Sequence, residues 1–160
     1  MAAISTPSIS STFERIAADY PEISFVRGED FHWSPDDQTI THPQLRTHAD
    51  LCQLFHEIGH AKLGHRDYTT DAALIDMERQ AWAYAAETLA PRYVVALTLD
   101  DAIVQNSLDS YREWLHARSM CPRCDAIGIE RSRGSYRCLV CRQNWRVNEA
   151  RTCRLQRHTK

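Results

Sequence analysis

Over residues 44–63 apolar positions recur at three- and four-residue intervals, at Leu51, Leu54, Phe55 and Ile58. This period predicts an amphipathic helix that opens after Pro43 and closes at Gly64. A second helix is predicted from Asp71, read as its cap, to about Leu89. Ala81, Tyr84, Ala85 and Leu89 lie along one side of it, and the alanines permit close approach to a neighbour. Pro91 suits the first turn of a third helix, and Asp100-Asp101 start a fourth that reaches Trp114. Upstream, residues 13–18 predict a short helix that stops before Pro21, and residues 1–12 read as a flexible leader. Residues 23–26 are strand-like. A Ser34-Pro35-Asp36-Asp37 turn between Phe31-His32-Trp33 and residues 38–41 predicts a small antiparallel hairpin. From Cys121 the helical period is lost, and short strand-like pieces at 127–129 and 135–138 take over. The pattern is that of a mainly helical α+β domain over residues 1–116 followed by a small β module over 117–160.

Composition sharpens that division. Apolar residues make up 43% and charged residues 25% of the 160 positions, which excludes a disordered chain. No run of about 18 apolar residues occurs and the N-terminus lacks a basic, apolar leader, so no membrane partner is expected and a cytoplasmic setting is. The net charge of −2 conceals opposite halves. Residues 1–116 carry 8 Lys/Arg against 18 Asp/Glu, whereas residues 117–160 carry 11 against 3. The second part can therefore attract a polyanion.

The predicted first long helix contains His56-Glu57-Ile58-Gly59-His60. Four residues along a helix advance by about 40° beyond a full turn, so both imidazoles project from one side. Neutral imidazoles suit zinc, and Glu57, at the edge of the same face, can act as a general base without being a ligand. A catalytic zinc takes three protein ligands and keeps a fourth position open. His65 misses the spacing of a third histidine in the metzincin pattern. A carboxylate from the second helix is the better candidate: Glu78, on the side of Ala81, Ala85 and Leu89, ahead of Asp76 and Glu87.

The C-terminal part holds two C-x-x-C pairs, Cys121/Cys124 and Cys138/Cys141, separated by 13 residues. In a chain read as cytoplasmic, this spacing favours a closed four-thiolate zinc site over disulfides. Such a zinc is structural, and in some 40 residues with few large apolar groups it supplies much of the folding free energy. Cys52 and Cys153 are left as ordinary thiols. Arg123, Arg131, Arg133, Arg137, Arg142 and Arg146 are interleaved with Tyr136 and Trp145, a footprint for nucleic acid through phosphate contacts and stacking on exposed rings. Docking on a protein accounts for the same charges equally well.

The stretch from His56 to His65 resembles the active-site helix of the ImmA/IrrE metallopeptidases. The segment from Glu78 to Pro91 resembles that family's second helix, whose first Glu completes the zinc site. Gln80-Ala81-Trp82 and Tyr84 depart from the family's usual Glu-Ala-Asn and Phe. The resemblance spans roughly residues 20–116 and implies a gluzincin-like zinc metalloendopeptidase. It further implies regulatory proteolysis of a helix-turn-helix, DNA-binding repressor, as carried out by a family often borne on mobile elements. Two other readings compete. SprT-like proteases also join an HExxH helix to a zinc ribbon and act on DNA-bound proteins, but are expected to use a further His as third ligand. A non-catalytic, zinc-containing DNA-binding regulator is the other.

Overall fold

A computed structural model describes residues 8–149 and 154–159. The protein is α+β with two small sheets, and its chain divides into two compact units.

The first unit comprises residues 1–66 and 79–104. Helix α1 (Ile9–Asp19) begins ahead of the expected start at residue 13, because the Ser8 side chain accepts from the Ser11 N–H at 3.1 Å and caps it. Of the expected leader, residues 8–12 are therefore cap and helix, and residues 1–7 lie outside the described residues. Strands β1 (Ser24–Arg27), β2 (His32–Ser34) and β3 (Thr39–His42) form a sheet in the order β1-β3-β2. The predicted hairpin is the antiparallel β2/β3 pair, and β1 joins β3 in parallel.

Helix α2 (His48–Leu63) opens on a capping box, in which Thr47 Oγ1 accepts from Asp50 N–H and the Asp50 carboxylate accepts from Thr47 N–H. It closes at Gly64, whose φ of +69° is the left-handed conformation glycine adopts without strain. Its apolar stripe, Leu51, Leu54, Phe55 and Ile58, is buried as the spacing requires.

Helix α3 (Asp71–Tyr84) continues through a π-helical turn (Ala85–Leu89) into short α4 (Ala90–Tyr93), with Pro91 in the first turn. Ala81, Trp82, Ala85 and Leu89 are fully buried. A Cβ on Gly59 would stand 2.6 Å from the Ala81 carbonyl oxygen, so the absence of a side chain at 59 allows α2 and α3 to touch backbone to backbone.

The second unit comprises residues 67–78 and 105–160. It contains the first turns of α3, most of α5 (Ala102–Ser119) and a four-stranded antiparallel sheet in sequential order. Its strands are β4 (Ile129–Ser132), β5 (Ser135–Arg137), β6 (Asn144–Val147) and β7 (Arg157–Thr159). Helix α5 runs beyond the expected end at Trp114, and this extension brings Arg118 into the interior.

Arg118 and Asp71 are both fully buried and paired, Nε to Oδ2 at 2.7 Å and Nη2 to Oδ1 at 3.3 Å. The Tyr136 hydroxyl donates to the same Asp71 oxygen at 2.5 Å. Asp71 is thus not the helix cap. Thr70 takes that part, its Oγ1 accepting from Ala73 N–H at 3.1 Å.

Candidate metal centres

One turn apart on α2, His56 and His60 bring their Nε2 atoms to within 3.0 Å of each other. Two imidazoles bound to one tetrahedral zinc stand about 3.3 Å apart, so this pair is close to metal-ready spacing. The His56 ring stacks on Trp82 of α3 at 4.4 Å between centroids and is edge-on to His60 at 4.5 Å. The fully buried indole leaves His56 little freedom to rotate.

His56, His60 and Glu78 each place one ligand atom within 4.8 Å of the others. All three are buried, at 5%, 9% and 6% exposure. A carboxylate withdrawn from water beside two imidazoles is costly unless a cation or a shared proton balances it. Two nitrogens and one oxygen are a donor set that zinc accepts. Asp76 and Glu87, the weaker alternatives for the carboxylate, are exposed and outside this group. Glu57 is also buried, adjacent to His56 in α2, and is not one of the converging ligands.

The second centre is Cys121, Cys124, Cys138 and Cys141, whose sulfurs all lie within 4.8 Å of one another. Cys121 and Cys141 are 3.6 Å apart and Cys124 and Cys138 3.5 Å. These separations exceed the bond length of about 2.05 Å in a disulfide and approach the roughly 3.8 Å between thiolates on one zinc. Each C-x-x-C turn also aims an amide at its first sulfur: Arg123 N–H at Cys121 and Cys141 N–H at Cys138, both at 3.4 Å. The Cys141 amide, against the opposing effect of burial, pulls the Cys138 thiol down to about 6. Four convergent sulfurs with amide support form a candidate metal-binding cluster. Of the two remaining cysteines, Cys52 is a buried free thiol and Cys153 lies outside the described residues.

The expected aromatic platform is absent from the surface of this module. Tyr136 and Trp145 are 2% and 1% exposed and form its core with Cys121 and Cys138. They oppose each other in register on β5 and β6 with rings stacked at 5.6 Å, and the Trp145 indole donates to the Arg118 carbonyl at 3.0 Å. Strand alternation turns both inward, while Arg146 beside Trp145 is exposed.

Among the arginines, Arg123, Arg131 and Arg142 are also exposed, and Arg133 and Arg137 are half-buried. Arg133 is already engaged, paired with Asp67 at 2.6 Å and Glu149 at 3.3 Å and lying 3.9 Å from the centre of the Tyr68 ring. No helix is long and apolar enough to cross a membrane among the described residues.

Sequence reasoning did not assign Trp82 to the first candidate centre, nor pair Asp71 with Arg118. For Trp82 a signal existed, since it lies four residues after Glu78 and so on the same side of α3. Scans of the chain against protein-family models, curated proteins and solved structures returned no match.

Proposed function

We propose that the protein is a zinc-dependent metalloendopeptidase of gluzincin type whose ligands are His56, His60 and Glu78. The convergence of those three buried donors, with Glu57 next to one of them, carries this reading. Zinc held there supplies Lewis acidity toward a water molecule and a peptide carbonyl. Glu57 accepts the proton that water loses as it attacks the carbonyl carbon. It then delivers that proton to the amide nitrogen as the C–N bond breaks, so the carboxylate ends as it began. His56 is braced by Trp82, which keeps its Nε2 directed at the shared point. A carboxylate as the third ligand supports this reading over the SprT-like one, which expects a histidine there.

The substrate follows from the ImmA/IrrE resemblance: a helix-turn-helix repressor, cut once or a few times in the cytoplasm to release transcription. The four-cysteine module holds a structural zinc. Its exposed Arg123, Arg131, Arg142 and Arg146 offer phosphate contacts without an aromatic platform. Any nucleic acid held there is bound electrostatically, with affinity that falls steeply with salt.

The test is Glu57→Gln in the full chain, compared with wild type for cleavage of a co-expressed helix-turn-helix repressor that the wild-type chain cuts. The variant is expected to keep its metal and to lose cleavage by about 10²–10⁴-fold, the range for removing a general base. Undiminished cleavage by this variant overturns the mechanism.

A further inference from the structure

His65 follows the residue that ends α2, and the chain folds back there. Gly64 in its left-handed conformation directs His65 N–H to the His60 carbonyl at 3.0 Å, closing the helix end. The Trp33 indole donates to the His65 carbonyl at 3.3 Å. Backbone contacts on both sides therefore fix where the imidazole can go. It goes under His60, Nδ1 to Nδ1 at 2.9 Å, with ring centroids 5.0 Å apart. The other nitrogen of His65 is 3.4 Å from Gln80 Oε1 on α3.

His65 meets His60 at the nitrogen that faces away from His56, and it is not one of the residues whose ligand atoms converge. It is therefore not a fourth ligand. Its contacts nevertheless determine the hydrogen positions along a chain of three groups. For His60 to offer the lone pair of Nε2 toward His56 and Glu78, its ring hydrogen must sit on Nδ1. That hydrogen points at His65 Nδ1, which must then be the bare nitrogen of a neutral ring. The hydrogen of His65 is consequently on Nε2, where Gln80 Oε1 accepts it. The three requirements are mutually consistent, and the amide oxygen of Gln80 starts the sequence because it can only accept.

We infer that His65, held by Gln80, is a positioning residue that fixes the tautomer and orientation of His60 for metal binding. The inference rests on the metal site proposed above. A partner on the outer nitrogen of a ligating histidine raises its basicity and sets its ring, and losing such partners costs about 10–100-fold in metal affinity. The residues contributing are one from the Leu63-Gly64-His65 turn and one from α3, so the helix end and the second helix both bear on one imidazole.

Two measurements on the full, zinc-loaded chain test this. Long-range ¹H–¹⁵N spectra of histidine-labelled protein are expected to show His60 as the Nδ1–H tautomer and His65 as the Nε2–H tautomer. A His65 ring carrying its hydrogen on Nδ1, or carrying two, overturns the inference without any variant being made. Zinc competition against a chelator of known affinity then compares substitutions. His65→Ala is expected to weaken the His56/His60 site by about 10–100-fold and leave the four-cysteine site unchanged. His65→Asn, whose Oδ1 restores an acceptor near the place of Nδ1, is expected to recover most of that loss. Gln80→Leu is expected to weaken binding to an intermediate extent, and it serves if His65→Ala does not fold. Affinity within twofold of wild type for His65→Ala and Gln80→Leu, or an Asn variant no better than Ala, overturns the positioning role alone. A wild-type chain that takes up zinc only at the four-cysteine site overturns the metal-site reading and this inference with it.

Discussion

Replacing Asp71 by Ala removes the counter-charge of an arginine that has no access to water. In the native protein Arg118 directs Nε and Nη2 at Asp71, directs Nη1 at the Asn148 carbonyl and lies 4.3 Å from the centre of the Trp114 ring. The substitution leaves only the last two contacts. Removing one partner of a buried pair costs about 3–5 kcal/mol, because the remaining charge stays desolvated. The Tyr136 hydroxyl loses its acceptor at the same time, which adds about 1–3 kcal/mol. A loss of about 4–8 kcal/mol is a large share of the roughly 5–15 kcal/mol that holds a domain together, so the urea midpoint of the variant is expected to fall far below that of the native protein. The pair itself contributes far less than this penalty, so Asp71→Ala combined with Arg118→Met is expected to be markedly more stable than Asp71→Ala alone. Urea unfolding of the four members of that cycle, followed by tryptophan fluorescence, measures the coupling. A single-variant loss below about 1 kcal/mol, or a double variant no more stable than Asp71→Ala, refutes the reasoning.

Gly59→Ala gains about 1 kcal/mol of helix propensity but forces a methyl to within 2.6 Å of the Ala81 carbonyl, an overpacking that costs about 1–3 kcal/mol. The expected outcome is a lowered melting temperature with weakened zinc binding at His56, His60 and Glu78; a raised melting temperature contradicts the close contact of α2 with α3. Burial, aided by the charge of Asp101, pushes the Cys52 thiol up to about 11. At pH 8 its thiolate fraction is about a hundredfold below that of an ordinary thiol, so iodoacetamide labelling of the native chain, mapped by mass spectrometry, should leave Cys52 unmodified. Burial pushes the Asp50 carboxyl up, but the amides of Arg46 and Thr47 outweigh it and hold the group below the usual carboxylate range. Its capping contribution is therefore present above its unfolded pKa of about 4 and lost as pH falls through the lower folded value. Thermal unfolding of Asp50→Asn should show a deficit at pH 7 that disappears by about pH 2.

The residues that converge on the first candidate metal centre could be found in the sequence because helical periodicity places them. His56 and His60 share a face through the geometry of one helix, and Glu78 was selected by its phase relative to Ala81 and Ala85. The cysteine cluster was equally legible, since two C-x-x-C turns need only to fold toward each other. What escaped depends on contacts between distant segments. At the start of a helix Asp71 looks like any N-cap, and only Arg118, 47 residues away, reveals it as half of a buried ion pair. Ending α5 at Trp114 hid Arg118 for the same reason. Tyr136 and Trp145 were read as exposed because they stand among arginines. The alternation of Ser135-Tyr136-Arg137 and Asn144-Trp145-Arg146 already points both rings to one face, and their register across β5 and β6 makes that face the core. The parallel pairing of β1 with β3 has no local signature at all.

Anomalous diffraction at the zinc edge, from crystals of the full chain grown with zinc, tests the central claim most directly. Two peaks are expected. One lies among the sulfurs of Cys121, Cys124, Cys138 and Cys141, and the other about 2.0–2.2 Å from His56 Nε2, His60 Nε2 and a Glu78 oxygen. A single peak among the sulfurs, with the two imidazoles and the Glu78 carboxylate bonded only to protein or water, contradicts it.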